Sequence, residues 1–303
     1  MKSIIAVTCM FMLLAFTASA QELSIVNGKN ATKENLKNND SISLGEENFL
    51  GGTMQLFTNK GIGVSLMVEK TFSRFDTLAA ERTHIEAGLA YRYLNDCGGL
   101  KMYHADIQAE FEGGYLYDKH LNKMTYLYSD NSTKELKKTN SSEGLYFKGD
   151  FRLYGDENKA RVFGALDISA SLGIFLRSDF ITRFGDDTLT TKYNAEDLAA
   201  SIYRAKADLE IGAVPLGEKL SLALNGFYEI GNQNNFEFGF ASTFGVALKM
   251  NVFSEKETSL TTLNQMLNVV SVRFYQTNYT NCTALGGDVS VNLVGLLKAI
   301  KKH

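Results

Sequence analysis

The sequence has no tryptophan, one proline and three cysteines in 303 residues, and each scarcity narrows the field. Three cysteines cannot staple a disulfide-rich scaffold, and the rest of the composition is neither collagenous nor that of a disordered chain. The lone proline, Pro215, is expected in a turn, because a sheet has few places for a residue without an N–H. Charge of one sign is also missing. With 31 Lys+Arg against 34 Asp+Glu the net charge is -3, which excludes a protein built to cover nucleic-acid phosphates. Long apolar runs are absent after residue 20. The longest charge-free stretches there, 259–272 and 274–287, are rich in Thr, Asn and Gln and fall short of the ~18 residues of a spanning helix, so helical transporters are excluded. There is no Gly-x-Ser-x-Gly elbow, no His-Glu-x-x-His and no cofactor-binding motif, so no cofactor is expected.

The first segment present is a leader. Lys2 gives a short positive start, residues 4–16 are almost wholly apolar, and Ala18-Ser19-Ala20 puts small residues where a signal peptidase reads. Residues 1–20 are therefore expected to be a signal peptide, with the exported chain starting at Gln21. Residues 21–48 are dominated by Asn, Lys, Glu and Ser. They read as a polar extension or an extra edge strand near 41–44.

From about residue 49 the chain alternates apolar and polar residues, the mark of strands with two unlike faces. In 103–117, Tyr103, Ile107, Phe111 and Tyr115 share one face, and His104, Asp106, Gln108, Glu110 and Glu112 the other. The pattern returns around 61–72, 83–94, 145–153, 162–177, 203–211, 220–230 and 236–252, with weaker candidates at 261–276 and 288–297. Short turns near 59–60, 95–99, 155–159 and 215–218 alternate with polar stretches at 73–82, 118–142 and 178–197, which read as long loops. The 118–142 stretch is the candidate recognition loop. A single antiparallel meander of about 10–12 strands over residues 49–303 accounts for the pattern.

Such strands suit either a soluble β-sandwich or barrel with apolar faces inward, or a membrane barrel with apolar faces outward. The long strands favour the second, since ~9–11 residues cross a bilayer. So do the mixed-sign charges of the polar faces and the aromatics near strand ends, Tyr91/Tyr93, Tyr115/Tyr117 and Phe236/Phe238/Phe240. With leader, alternation, turn asymmetry and aromatic girdles together, the chain resembles a Gram-negative outer-membrane β-barrel protein of porin-like type. The resemblance is to a class and rests on architecture. One feature departs from it: the chain ends Lys301-Lys302-His303 rather than on an aromatic residue.

The resemblance implies an all-β, up-and-down transmembrane barrel in the outer membrane, monomeric and surrounded by lipid, with small ions or a surface ligand as partners. It implies a narrow channel or a structural, surface-binding barrel. Its lumen is expected to be lined by Glu86, Arg92, Asp106, Glu110, Glu112, Lys148, Asp150, Arg152, Asp167, Arg204, Lys206, Asp208, Glu210 and Glu229. A secreted or periplasmic β-protein binding lipid or glycan is the first alternative. A lipid-modifying barrel enzyme is the second, for which His84 and His104, beside carboxylates in the same register, are the candidate bases. Cys97 and Cys282 remain after the leader, either as one disulfide or as two thiols.

Overall fold

A computed structural model of the chain describes residues 20–35, 41–58, 61–75, 78–95, 105–127, 133–155, 163–184, 187–194, 201–215, 220–232, 240–254, 265–279, 282–294 and 296. Residues 1–19 of the predicted leader, Cys97, His104 and the aromatics Phe236 and Phe238 lie outside them.

The strands are β1 (Ala20–Asn35), β2 (Ser41–Phe57), β3 (Ile62–Phe75), β4 (Leu78–Asn95), β5 (Ala105–Leu127), β6 (Thr133–Gly155) and β7 (Phe163–Phe184). They continue with β8 (Asp187–Asn194), β9 (Ser201–Pro215), β10 (Leu220–Asn232), β11 (Phe240–Ser254), β12 (Gln265–Tyr279) and β13 (Cys282–Asn292). Every pairing is antiparallel. β7 pairs with both β6 and β9, and β1 pairs with both β2 and β13, which closes a 12-strand up-and-down barrel. The remaining strand, β8, stays outside the ring and pairs with the 177–184 half of β7.

Alternation decides which way each strand faces. Leu50, Leu89, Phe111, Phe147, Leu172, Leu224, Phe244, Phe274 and Leu285 are exposed on the outer surface, whereas Gln55, Ser65, His84, Arg92, Gln108, Glu110, Asp208, Asn225 and Asp288 are buried inside. This inverts the pattern of a soluble protein. So large a contiguous apolar surface around a closed ring is the surface of a protein solvated by hydrocarbon. A barrel also leaves no unpaired strand edge, the only way a sheet can satisfy its backbone there.

Three expectations are corrected. Residues 21–48, expected as a polar extension or an extra edge strand near 41–44, hold β1 and the first part of β2, both full members of the ring. Their outward apolar stretch is short, with Leu23 and Ile25 followed by Asn27 and Lys29, and so reads as polar. The stretches 73–82 and 118–142 are no loops either. β3 and β4 stay paired to Phe75↔Leu78, and β5 and β6, each 23 residues long, to Leu127↔Thr133. In 178–197, β7 continues to Phe184 and β8 follows. A hairpin that projects past the apolar belt meets water on both faces, so alternation fades although pairing persists. The last strands are likewise β12 at 265–279 and β13 at 282–292, rather than 261–276 and 288–297.

Inside, bulky side chains lie flat over glycines of neighbouring strands. Tyr146 on β6 crosses Gly114 and Gly88, which stand beside it in the ladder, and its hydroxyl reaches Ser65 Oγ on β3 at 2.9 Å. A Cβ at Gly114 would collide with the backbone of Ala87 and Gly88, which cannot give way, while one at Gly226 would meet nothing within 4 Å. Gly114→Ala is therefore expected to cost about 1–3 kcal/mol, read as a lower urea midpoint in detergent, and Gly226→Ala to stay within about 0.5 kcal/mol of the parent.

Candidate functional site: the charged lumen wall

The inward faces place opposite charges directly across from one another. β4 pairs with β5 so that Arg92 faces Glu110 and His84 faces Asp118. β5 with β6 sets Glu112 against Lys148, β6 with β7 sets Arg152 against Asp167, and β12 with β13 sets Arg273 against Asp288. Directly opposed residues are the closest side-chain neighbours in a sheet, so register alone brings these charges together.

The tightest group lies on β2, β4, β5 and β6, close to the end of the barrel where β2 turns into β3. Arg92 Nε donates to Glu110 Oε2 at 2.9 Å and Arg92 Nη2 to Gln55 Oε1 at 3.2 Å, and Gln55 Nε2 donates to Glu112 Oε1 at 2.6 Å. Lys148 Nζ stands 3.4 Å from Glu112 Oε1, and the Arg92 guanidinium lies 3.9 Å over the Phe57 ring. Arg92 and Glu110 are both buried. Arg92, Glu110 and Glu112 each have an opposite charge and a hydrogen bond to Gln55 besides, the condition under which buried ions are tolerated.

Toward the rim where β3 turns into β4, a second group centres on Asp118, which is 1% exposed. Arg82 grips it through Nε at 3.1 Å and Nη2 at 2.7 Å, His84 Nδ1 stands 2.9 Å from Oδ2, and His120 Nε2 stands 2.9 Å from Oδ1. The other nitrogen of His84 is 3.2 Å from Glu86 Oε1. Further round the ring Arg152 pairs with Asp167 at 2.7 Å, Asp208 holds Lys206 at 3.2 Å and Lys249 at 3.1 Å, and Arg273 pairs with Asp288 at 2.8 Å.

Of the expected lumen residues, Glu86, Arg92, Glu110, Glu112, Lys148, Asp150, Arg152, Asp167, Lys206, Asp208 and Glu229 stand on inward positions of their strands. Asp106, Arg204 and Glu210 occupy strand positions, but their side chains lie outside the described residues. Of the candidate bases, His84 meets two carboxylates and Arg82, and among the described residues no hydroxyl bonds to it. Among the described residues no group of three His, Cys, Asp or Glu is placed to hold a metal. Cys282 opens β13 at the rim opposite the end of β4, after which Cys97 follows.

Sequence reasoning missed Arg82, Asp118 and His120 because they fell in the stretches read as loops. The signal was present: Asp118 and His120 continue the even-numbered register of Glu110 and Glu112 without a break. Asp118→Ala, which strands Arg82, His84 and His120 around a lost carboxylate, is expected to cost about 3–5 kcal/mol. Denaturant titration of the folded barrel in detergent measures it, and Tyr146→Phe, removing one hydrogen bond, should cost about 1 kcal/mol.

No protein-family model and no curated protein matches the chain. Among solved structures, the chain is similar to the translocator domain of the autotransporter NalP from Neisseria meningitidis, with 11% identity over 96% of both chains and a TM-score of 0.52. It is also aligned with the beta domain of the Bordetella autotransporter Brka, with 8% identity over 90% of this chain and 99% of that one, at a TM-score of 0.47. The first likeness shows the barrel fold and nothing finer.

Proposed function

We propose that this protein resides in an outer membrane and acts as a narrow porin-like channel for small ions. The observation that carries the reading is the inversion of faces, an apolar belt outside a closed ring and a wall of opposed charges inside. An apolar exterior needs lipid, and only a helix or a closed barrel can satisfy its backbone there. A ring of 12 strands lies between eight-stranded barrels, filled by their own side chains, and the open pores of 16–18 strands. Solutes passing it would be small and stripped toward contact with fixed charges.

Acidic side chains exceed basic ones on the inward positions. Glu47, Glu69, Asp150 and Glu229 stand there beyond the opposed pairs. Cations are therefore preferred over anions. His84 serves in this reading as a structural member of the Asp118 group and not as a base.

Two measurements test the proposal. Detergent-extracted chain should migrate faster before boiling than after, and in planar bilayers it should give small, cation-preferring steps. Lys249→Gln, which removes a cation from the wall, should raise the cation-to-anion permeability ratio about twofold. Folded barrel with no conductance would make it a plugged structural barrel. Release from membranes by carbonate, with no heat-dependent shift, would overturn the membrane reading itself. His84→Ala should leave the lipid composition of the host membrane unchanged, and an altered acyl pattern would instead mark an enzyme.

A further inference from the structure

The strands β3 to β8 project beyond the apolar belt at one rim, and their outer face carries a row of cations. Following the ladder from one strand to the next gives Arg74 opposite Ala79, Ala79 opposite Lys123, Lys123 opposite Lys137, and Lys137 opposite Arg183. The outward direction follows from parity. Arg74 continues the face of the exposed Phe72, Lys123 that of Phe111 and Tyr115, and Lys137 that of Leu145 and Phe147. Arg183 shares its side of β7 with Arg177 and lies across from the buried Ser178 face.

Three of these cations, Lys123, Lys137 and Arg183, are direct neighbours on successive strands. Strands lie about 4.8 Å apart, so the three ammonium or guanidinium stems start roughly 5 and 10 Å from one another. Like charges directly opposed destabilise a sheet. The chain relieves this only in part, since Lys137 pairs with Glu135 at 2.8 Å, and among the described residues Arg74, Lys123 and Arg183 form no ion pair. On the belt side, the next row is Phe72, Glu81, Leu121, Thr139 and Ile181, and the row after it is Lys70, Thr83, Lys119, Ser141, Asp179 and Lys192, in which Lys70 pairs with Glu81 at 3.7 Å. Cations therefore stand on both sides of a partly apolar row, and the single row Val68, Ile85, Tyr117, Glu143 and Arg177 separates them from the outward belt at Tyr115 and Leu145.

We infer that this face binds the phosphates of a lipid headgroup carrying more than one phosphate, whose acyl chains lie on the belt below. The charge is complementary, the spacing suits two or more anionic groups rather than one, and the patch is continuous with the surface that meets hydrocarbon. The inference rests on the membrane reading proposed above, but not on the channel.

Native mass spectrometry of the detergent-folded chain tests it, with diphosphorylated lipid A, phosphatidylglycerol or phosphatidylcholine added as probes. The expected order of retention is lipid A first, phosphatidylglycerol well below it and phosphatidylcholine not above background. The variant Lys123→Ser/Lys137→Ser/Arg183→Ser should lose lipid A affinity by at least tenfold, and Lys123→Arg/Lys137→Arg should keep it. Unfolding of the triple-serine variant should be no easier than that of the parent, because it removes like-charge opposition. Equal lipid A binding by parent and triple-serine variant would overturn the inference. So would displacement of the lipid by inorganic pyrophosphate at equal concentration, which would mean a site for a free anion. A heat-dependent shift retained in every variant keeps failure here distinct from failure of the membrane reading.

Discussion

The pairing of β1 with β13 is the contact on which the remaining structure depends, because without it the same strands make an open sheet with two raw edges in hydrocarbon. Eleven residue pairs run from Ser24↔Asn292 to Glu34↔Cys282. Side chains lock the seam from inside. Tyr275 on β12 crosses Gly286 on β13 and donates to Asn30 Oδ1 on β1 at 2.8 Å, and Asn30 in turn donates to Glu47 on β2 at 3.1 Å. Glu47 also accepts from Ser73 on β3 at 3.0 Å. One hydrogen-bonded line thus joins β12, β1, β2 and β3 and passes over β13 at the closure. Phe49 fills the space that Gly28 leaves open beside Asp288, where a Cβ would strike both.

Closure converts a one-dimensional pattern into an inside and an outside. Once the ring exists, the polar face of each strand has nowhere to go but the lumen, and register then decides which charges meet. Arg92 meets Glu110, Glu112 meets Lys148 and Arg152 meets Asp167 because no register shift falls between these pairs and the connections that join their strands. A shift of one residue in any of these hairpins would turn its charges to the lipid and leave their partners alone in the lumen. The charge pairs thus act as a check on register as much as a source of stability. Where the ladder does shift, at Glu143/Gly144, β7 holds one extra residue, Leu176, and both it and Arg177 are exposed.

Most of the barrel strands were legible from their two-residue alternation, and the inward positions of Glu86, Arg92, Glu110 and Arg152 followed from the same parity. What escaped were segments where alternation is weak for physical reasons. Among the described side chains of β1, Leu23 and Ile25 are the large apolar residues facing outward, and the outer halves of β5, β6 and β7 stand in water on both sides. Losing those segments hid Arg82, Asp118 and His120 at one rim, and with them the Arg74–Lys123–Lys137–Arg183 row. Neither the aspartate group nor the cation row has a sequence motif. Their members lie on different strands, tens of residues apart, and meet only through register.

By itself the sequence determined the class of element and the character of each face, since a period of two and the choice of Phe or Glu at each position are local properties. Tertiary structure decided everything that depends on which strand lies beside which: that the first residues close the ring, that long hairpins replace loops, and which charges are partners. The physical reason is that a strand's side-chain direction is set by its own backbone, whereas its neighbours are set by ladders between residues distant in the chain, and only the closed ring selects one set of them.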